Sequence, residues 1–169
     1  TGMLKGKESI RYFNNSGDTL DHLVFRVYMN FFQKGAPRDF NIGAADLHGG
    51  VSIENLMVDG RKLNRAGGPQ LMSDRGTVYR IELLNPVMPG GETKIALQWE
   101  VSMPRRITIR MGRYGKENDW FVAFWYPRLA VYDDVLGWDT HRYTGTAEFY
   151  HDFNNYDVEL TLPGDYMVW

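Results

Sequence analysis

Four histidines, His22, His48, His141 and His151, are all the imidazole the chain can bring to a metal or a proton transfer. None stands four residues from another, so no helical turn carries a paired His-x-x-x-His grip for zinc. The absence of cysteine excludes thiolate ligands, a thiol nucleophile and disulfides within the chain. None of Ser9, Ser16, Ser52, Ser73 and Ser102 sits in a Gly-x-Ser-x-Gly elbow, and no Gly-x-x-x-x-Gly-Lys loop is present to cradle phosphates. Gly67-Gly68 and Gly90-Gly91 read better as turns. Asp133, Asp134 and Asp139 could offer hard oxygens to calcium, yet their spacing lacks the alternating ladder of a calcium loop and fits turn-forming aspartates. Asp134 with Glu148 could do glycosidase work only across a cleft holding two acids about 5 to 10 Å apart, and solvated or Arg-paired acids are the simpler reading. Arg105, Arg106, Arg110 and Arg113 alternate with Ile107, Ile109 and Met111, which predicts a strand with a charged outer face before it predicts a phosphate site.

The densest chemistry lies in FWYPRLAVYDD, Phe124 to Asp134. Pro127 lacks a backbone donor and should end or bend a strand. Alternation then sends Trp125 and Tyr126 to opposite sides, one inward and one left for a neighbour. Arg128 has Asp133 or Asp134 as ion partners around the following turn.

The elements that must position these residues read as strands. At 169 residues the chain is expected to form one β domain over 1–169. A net charge of −2 gives no positive field for a nucleic-acid backbone, so no nucleic-acid partner is expected. The apolar runs fall short of the roughly 20 residues that span a bilayer, so no membrane partner is expected either. Aromatic residues make up 14% of the chain and suit half-buried sheet surfaces. Leu23, Phe25, Val27, Met29 and Phe31 alternate on one face, with His22, Arg26 and Tyr28 on the other. NNSGD, Asn14 to Asp18, is expected to close a hairpin between this strand and the preceding KGKESIRYF. Residues 32 to 50 read as a loop. VSIENLMV, Asp59-Gly60 and RKLN form a second hairpin. GTVYRIELL and ETKIALQWEV form a third around Pro89-Gly90 in a type II turn, with Thr77, Tyr79, Ile81 and Leu83 alternating against Thr93, Ile95, Leu97, Trp99 and Val101. A closing strand should carry Tyr156, Val158, Leu160 and Leu162 on one face. Ending at Trp169, it suggests a sheet edge or a strand continuing into further sequence, and so a fragment of a longer protein. Many short strands without helical periods predict antiparallel sheets packed face to face.

Three blocks carry a resemblance: GKESIRYFNNSGDTLDHLVFRVYMN, LLNPVMPGGETKIALQWEVSMP and WYPRLAVYDDVLGWDTHRYTGTAEFYHDFNNYDVELTLPGDYMV. Together they resemble the N-terminal β domain of the aminopeptidase N family of zinc metallopeptidases, the gluzincin aminopeptidases. The last block is the most specific, through Trp-Tyr-Pro-Arg, Tyr-Asp, Gly-Trp, Glu-Phe-Tyr and Asp-Val-x-x-Thr-x-Pro in order. The resemblance implies an antiparallel multi-stranded saddle or sandwich placed before a separate catalytic domain. That domain would bring a His-Glu-x-x-His zinc site and a Gly-x-Met-Glu-Asn exopeptidase loop, and neither motif occurs here.

It follows that this chain alone should be non-catalytic, without zinc of its own, and should pack on the parent's catalytic domain while lining a cleft for peptide substrate. Phe124, Trp125, Tyr126 and Arg128 are the expected cleft or interdomain residues, and Pro127, Asp133 and Asp134 the expected turn and ion-pair residues. Many members place glutamine immediately before Trp-Tyr-Pro, where its amide helps hold the substrate amine. Phe124 cannot accept that hydrogen bond, so the parent anchors the amine otherwise, has changed specificity, or aligns one residue away. A periplasmic or secreted location follows from family habit alone. A free-standing carbohydrate-binding β-sandwich is the alternative reading, since exposed Trp and Tyr also stack on sugars. An independent carboxylate hydrolase is a third.

Overall fold

The structure is a computed structural model that describes residues 2–63, 70–73 (backbone only), 76–115, 119–146 and 149–168. The Gly67-Gly68 turn, Glu148 and Trp169 lie outside those residues. The fold is all-β and antiparallel, as its alternation predicts. One four-stranded sheet has the order β1 (Met3–Phe13), β7 (Glu92–Ser102), β3 (Ser52–Val58), β4 (Arg61–Lys62). The other runs β10 (Arg128–Leu129), β2 (Leu20–Arg26), β6 (Val78–Val87), β5 (Gln70–Ser73). Two small hairpins, β8 (Met111–Tyr114) with β9 (Asp119–Val122) and β11 (Tyr132–Asp133) with β12 (Gly137–Trp138), complete the described strands. Among the described residues no helix is long and apolar enough to cross a membrane.

The inward faces of both sheets meet in one core. Leu23, Phe25 and Ile81 come from one sheet and Ile95, Leu97 and Trp99 from the other. Residues at every second position of β7, from Thr93 to Val101, are buried, so the period-two pattern is the core face. Residues 32 to 50 form a loop with one short 3-10 turn, Ala44–Asp46, in its middle. Leu23 and Phe25 are strand residues, but β2 ends at Arg26 and the chain enters a 3-10 turn, Tyr28–Phe32. Met29 and Phe31 are therefore buried from that turn, and Val24, Arg26 and Tyr28 are buried as well.

Two expected hairpins are instead crossings between the sheets. β1 pairs with β7, β2 pairs with β6, and neither NNSGD nor Pro89-Gly90 joins paired strands. The physical reason lies in the turn type. Gly90 has φ +74°, as the second central residue of a type II turn requires, and type II geometry splays its flanking strands where hairpins favour the primed types. At Asp59-Gly60 both φ values are positive, 47° and 75°, and there β3 and β4 do pair. Asn14 stitches the two crossings together. Its N–H donates to Gly91 O at 2.9 Å, its carbonyl accepts from Gly90 at 2.8 Å, and its buried amide donates to Val87 O at 3.0 Å and Asp18 O at 2.7 Å.

The arginine-rich segment also departs from its expected strand. Residues 105–110 turn instead, because Ile109 and Arg110 take φ values of 50° and 58° and Thr108 and Met111 bond each other's backbone. A β-branched residue in that region is strained, and no Gly, Asn or Asp marks the turn in the sequence. The segment around Tyr156, Val158, Leu160 and Leu162 is not a strand. All four side chains are exposed.

Candidate functional site

Three tryptophans lie along β1, which is an edge strand. At one end Trp138 packs on Tyr12, ring centroids 5.6 Å apart. In the middle Trp99 lies across Gly6, where a Cβ would come within 2.3 Å of its ring. Only a glycine lets the indole approach the strand so closely. Trp125 packs on the outer side of that indole at 5.5 Å. At the other end Trp120 lies against Gly2, 2.8 Å from where a Cβ would stand. Between these contacts β10 joins the edge of β2, so the chain from Trp120 to Trp138 packs along this side of the sandwich without pairing with β1.

FWYPRLAVYDD is the middle of that belt. Phe124 is half-buried with φ +55°, and its ring stacks on Phe149 at 3.7 Å and meets the Tyr28 edge at 5.4 Å. Around Tyr28, Phe124, Tyr143 and Phe149 the residual void is about 10 Å³, room for no more than one water. Phe124 is thus a packing residue. Trp125 and Tyr126 do not diverge to opposite faces. Their rings touch at 5.0 Å, because left-handed Phe124 and Pro127 interrupt the alternation and residues 123–127 are not a strand. The Tyr126 hydroxyl meets the Tyr156 hydroxyl at 3.2 Å, continuing the stack from Trp99 outward. Pro127 is buried immediately before β10, where its missing donor matters least.

The expected ion pair of Arg128 with Asp133 or Asp134 is replaced by a different arrangement. Asp133 accepts from the backbone N–H groups of Val135 at 2.9 Å and Leu136 at 2.7 Å, which closes the β11–β12 turn, while Asp134 faces solvent. Short-range turn bonds to a carboxylate win over a long arginine that β10 carries elsewhere. Arg128 is opposite Arg26 in the register, and the pair that forms is Arg26 with Asp139 at 3.5 Å. Arg26 Nη1 also donates to the carbonyls of His141 and Asp139, and its guanidinium lies over Tyr28 at 5.3 Å. Burial, then the positive charges of Arg128 and Arg26, pull His151 down to about 4.

The histidines are kept apart. His22 sits beside Asp21, His48 stacks on Phe32 at 5.8 Å and accepts from Gly50 N at 3.0 Å, His141 is exposed, and His151 belongs to the aromatic cluster. Among the described residues no three His, Asp or Glu side chains converge on one point where a metal could sit.

Glu8 is a member of the site that the motif search did not single out. It occupies an inward position of β1, between Gly6 and Ile10, and one carboxylate oxygen is buried without a hydrogen-bond partner. Its place in the alternation of Leu4, Ile10 and Tyr12 was the available signal. Burial pushes its carboxyl up to about 7 from an ordinary 4.5, against a smaller pull from the Trp99 indole. The native state therefore keeps a proton that the unfolded chain has lost, and the associated stability is full below pH 4.5 and lost as the pH rises to 7. His151 acts in the opposite sense, costing stability as the pH falls from 6.5 towards 4. Comparing Glu8→Gln with the parent at each pH isolates the first effect. The variant should match the parent near pH 4.5 and exceed it by roughly 2 to 3 kcal/mol near pH 8, in urea titrations. A difference that does not change with pH would remove Glu8 from this role.

No protein-family model, no curated protein and no solved structure matches the chain.

Proposed function

We propose that this chain is the non-catalytic β domain of a zinc aminopeptidase of the aminopeptidase N type, packing on the catalytic domain and walling part of its peptide cleft. One observation carries the reading. The sequence block with the most specific resemblance folds into the aromatic belt on the open side of the sandwich, and its rim is apolar and exposed. Val135 and Leu136 at the β11–β12 tip are 83% and 85% exposed. Phe153 is likewise fully exposed. Large apolar side chains left exposed at the tip of the belt suit a docking face. Its rings are unsuited to a sugar platform, since Trp125 meets Tyr126 at 70° and Tyr126 meets Tyr156 at 74°, with no shared plane.

In that setting zinc and the general base belong to the catalytic domain, and this chain supplies shape. Phe124 offers no acceptor for the substrate amine, and its ring is held by Phe149. The test uses a polypeptide that joins this chain to a catalytic domain. Trp125→Ala should raise KM several-fold and lower the melting temperature while zinc content stays at parent level, because packing and substrate fit are disturbed and the metal ligands are not. Unchanged KM and melting temperature would count heavily against the docking role.

A further inference from the structure

Residues 153–162 have the sequence of a strand, but among the described residues no strand pairs with them. Tyr156, Val158, Leu160 and Leu162 alternate with Asp157, Glu159 and Thr161, yet all are exposed. Among the described residues, the only backbone–backbone hydrogen bond within 151–168 closes the turn from Pro163 to Tyr166. The sandwich meanwhile offers a free edge. Among the described residues β1 pairs only with β7, and its inward residues Leu4, Glu8, Ile10 and Tyr12 are half-buried while their β7 neighbours are buried.

We propose that residues 155–161 add to the free edge of β1 of the same molecule as an antiparallel strand, with Tyr156 opposite Glu8, Val158 opposite Gly6 and Leu160 opposite Leu4. Three independent features set this register. The first is position: Tyr156 already meets Tyr126 at 3.2 Å, and Tyr126, Trp125 and Trp99 stack in sequence onto Gly6. Direction agrees, since the Tyr12 phenol is pushed up to about 12 by burial first and then by the charges of Tyr132 and Asp152, which places Asp152 towards the Tyr12 end.

The second is parity. A side chain opposite an inward residue points inward, so this pairing turns the apolar stripe onto the half-covered end of the core. A slip of one residue would bury Asp157 and Glu159 instead.

The third is charge. The outward pairs become Lys7 with Asp157 and Lys5 with Glu159, two opposite-charge neighbours. Lys7 has no ion pair among the described residues, and Lys5 reaches Glu100 at 3.0 Å across the other side of β1. Shifting the register by two residues either way leaves one opposite-charge pair in place of two, Lys5 with Asp157 or Lys7 with Glu159. The added strand would cover an edge that is otherwise a template for aggregation.

The chain lacks cysteine, so paired cysteines report the register cleanly. Under mild oxidation of dilute protein, Lys7→Cys/Asp157→Cys should close an intramolecular disulfide at least tenfold faster than Lys7→Cys/Thr161→Cys. Amide exchange of the parent should show protection over 155–161. That protection should fall in Lys5→Glu/Lys7→Glu and return when Asp157→Lys/Glu159→Lys is added. Equal closure of both cysteine pairs, crosslinks chiefly between molecules, or free-peptide exchange over 155–161 in the parent would each overturn the proposal. None of these readouts involves zinc or peptide cleavage, so they stand or fall apart from the proposed function.

Discussion

Arg26→Ala should lower stability by about 3 to 5 kcal/mol, the range for removing one partner of a buried ion pair. Arg26 is 4% exposed, and its guanidinium serves Asp139 Oδ2 at 3.5 Å, two carbonyls and the Tyr28 ring. Truncation leaves a carboxylate and two acceptors short of donors in a mostly buried site. It also frees residues 139–141, just past the Trp138 end of the belt that holds Trp125 and Tyr126, from β2. Arg26→Met restores the volume and should recover only a small part. Adding Asp139→Leu should recover more, because the unpaired charge then goes too. Urea denaturation of the three variants checks the ordering. A loss under about 1 kcal/mol for Arg26→Ala would show that water satisfies the site and that the pair anchors nothing.

The second large effect belongs to Trp99→Ala, expected to cost about 3 to 5 kcal/mol as for other buried tryptophans. Trp99 is 3% exposed and fills the space between Gly6 and Trp125. Because the indole lies directly on Gly6, a side chain added there should have opposite effects with and without Trp99. In the parent, Gly6→Val should destabilise, since the first added carbon would lie 2.3 Å from the indole. In the Trp99→Ala background the same change should stabilise, by filling part of the cavity. Thermal and urea unfolding of the double-mutant cycle reads both signs. Additive losses would mean that Gly6 and Trp99 do not share a space.

These residues also show what a sequence discloses. The alternation of Thr93, Ile95, Leu97, Trp99 and Val101 names the core face of β7 correctly, because the face depends only on local geometry. Which strand lies beside β7 depends on whether a turn keeps its strands together, and Pro89-Gly90 reverses the chain without pairing β6 to β7. Asn14, fully buried between the two crossings, reads in sequence as one more turn residue. The arginine segment misled for a similar reason, since Ile109 in a left-handed turn has no compositional warning. Within the candidate site, Pro127 and the aromatic character of the belt were legible. The partner of Arg128 was not, because Asp133 could serve a salt bridge or a turn and only the backbone path decides. Glu8 was legible as an inward position of its strand, although charge argues against burying it until its neighbours are known. Arg26 was not, because the alternation put it opposite Leu23 and Phe25, and the end of β2 is buried on both faces.

The most direct measurement of the central claim compares the purified 169-residue chain with the same chain joined to a catalytic domain of the proposed type. Zinc content and hydrolysis of aminoacyl reporters are measured on both, before and after chelation. The joined protein is expected to hold about one zinc and to lose turnover on chelation, whereas the 169-residue chain shows neither. Stoichiometric zinc on the short chain, or turnover by it, would contradict the assignment of the chemistry to another domain.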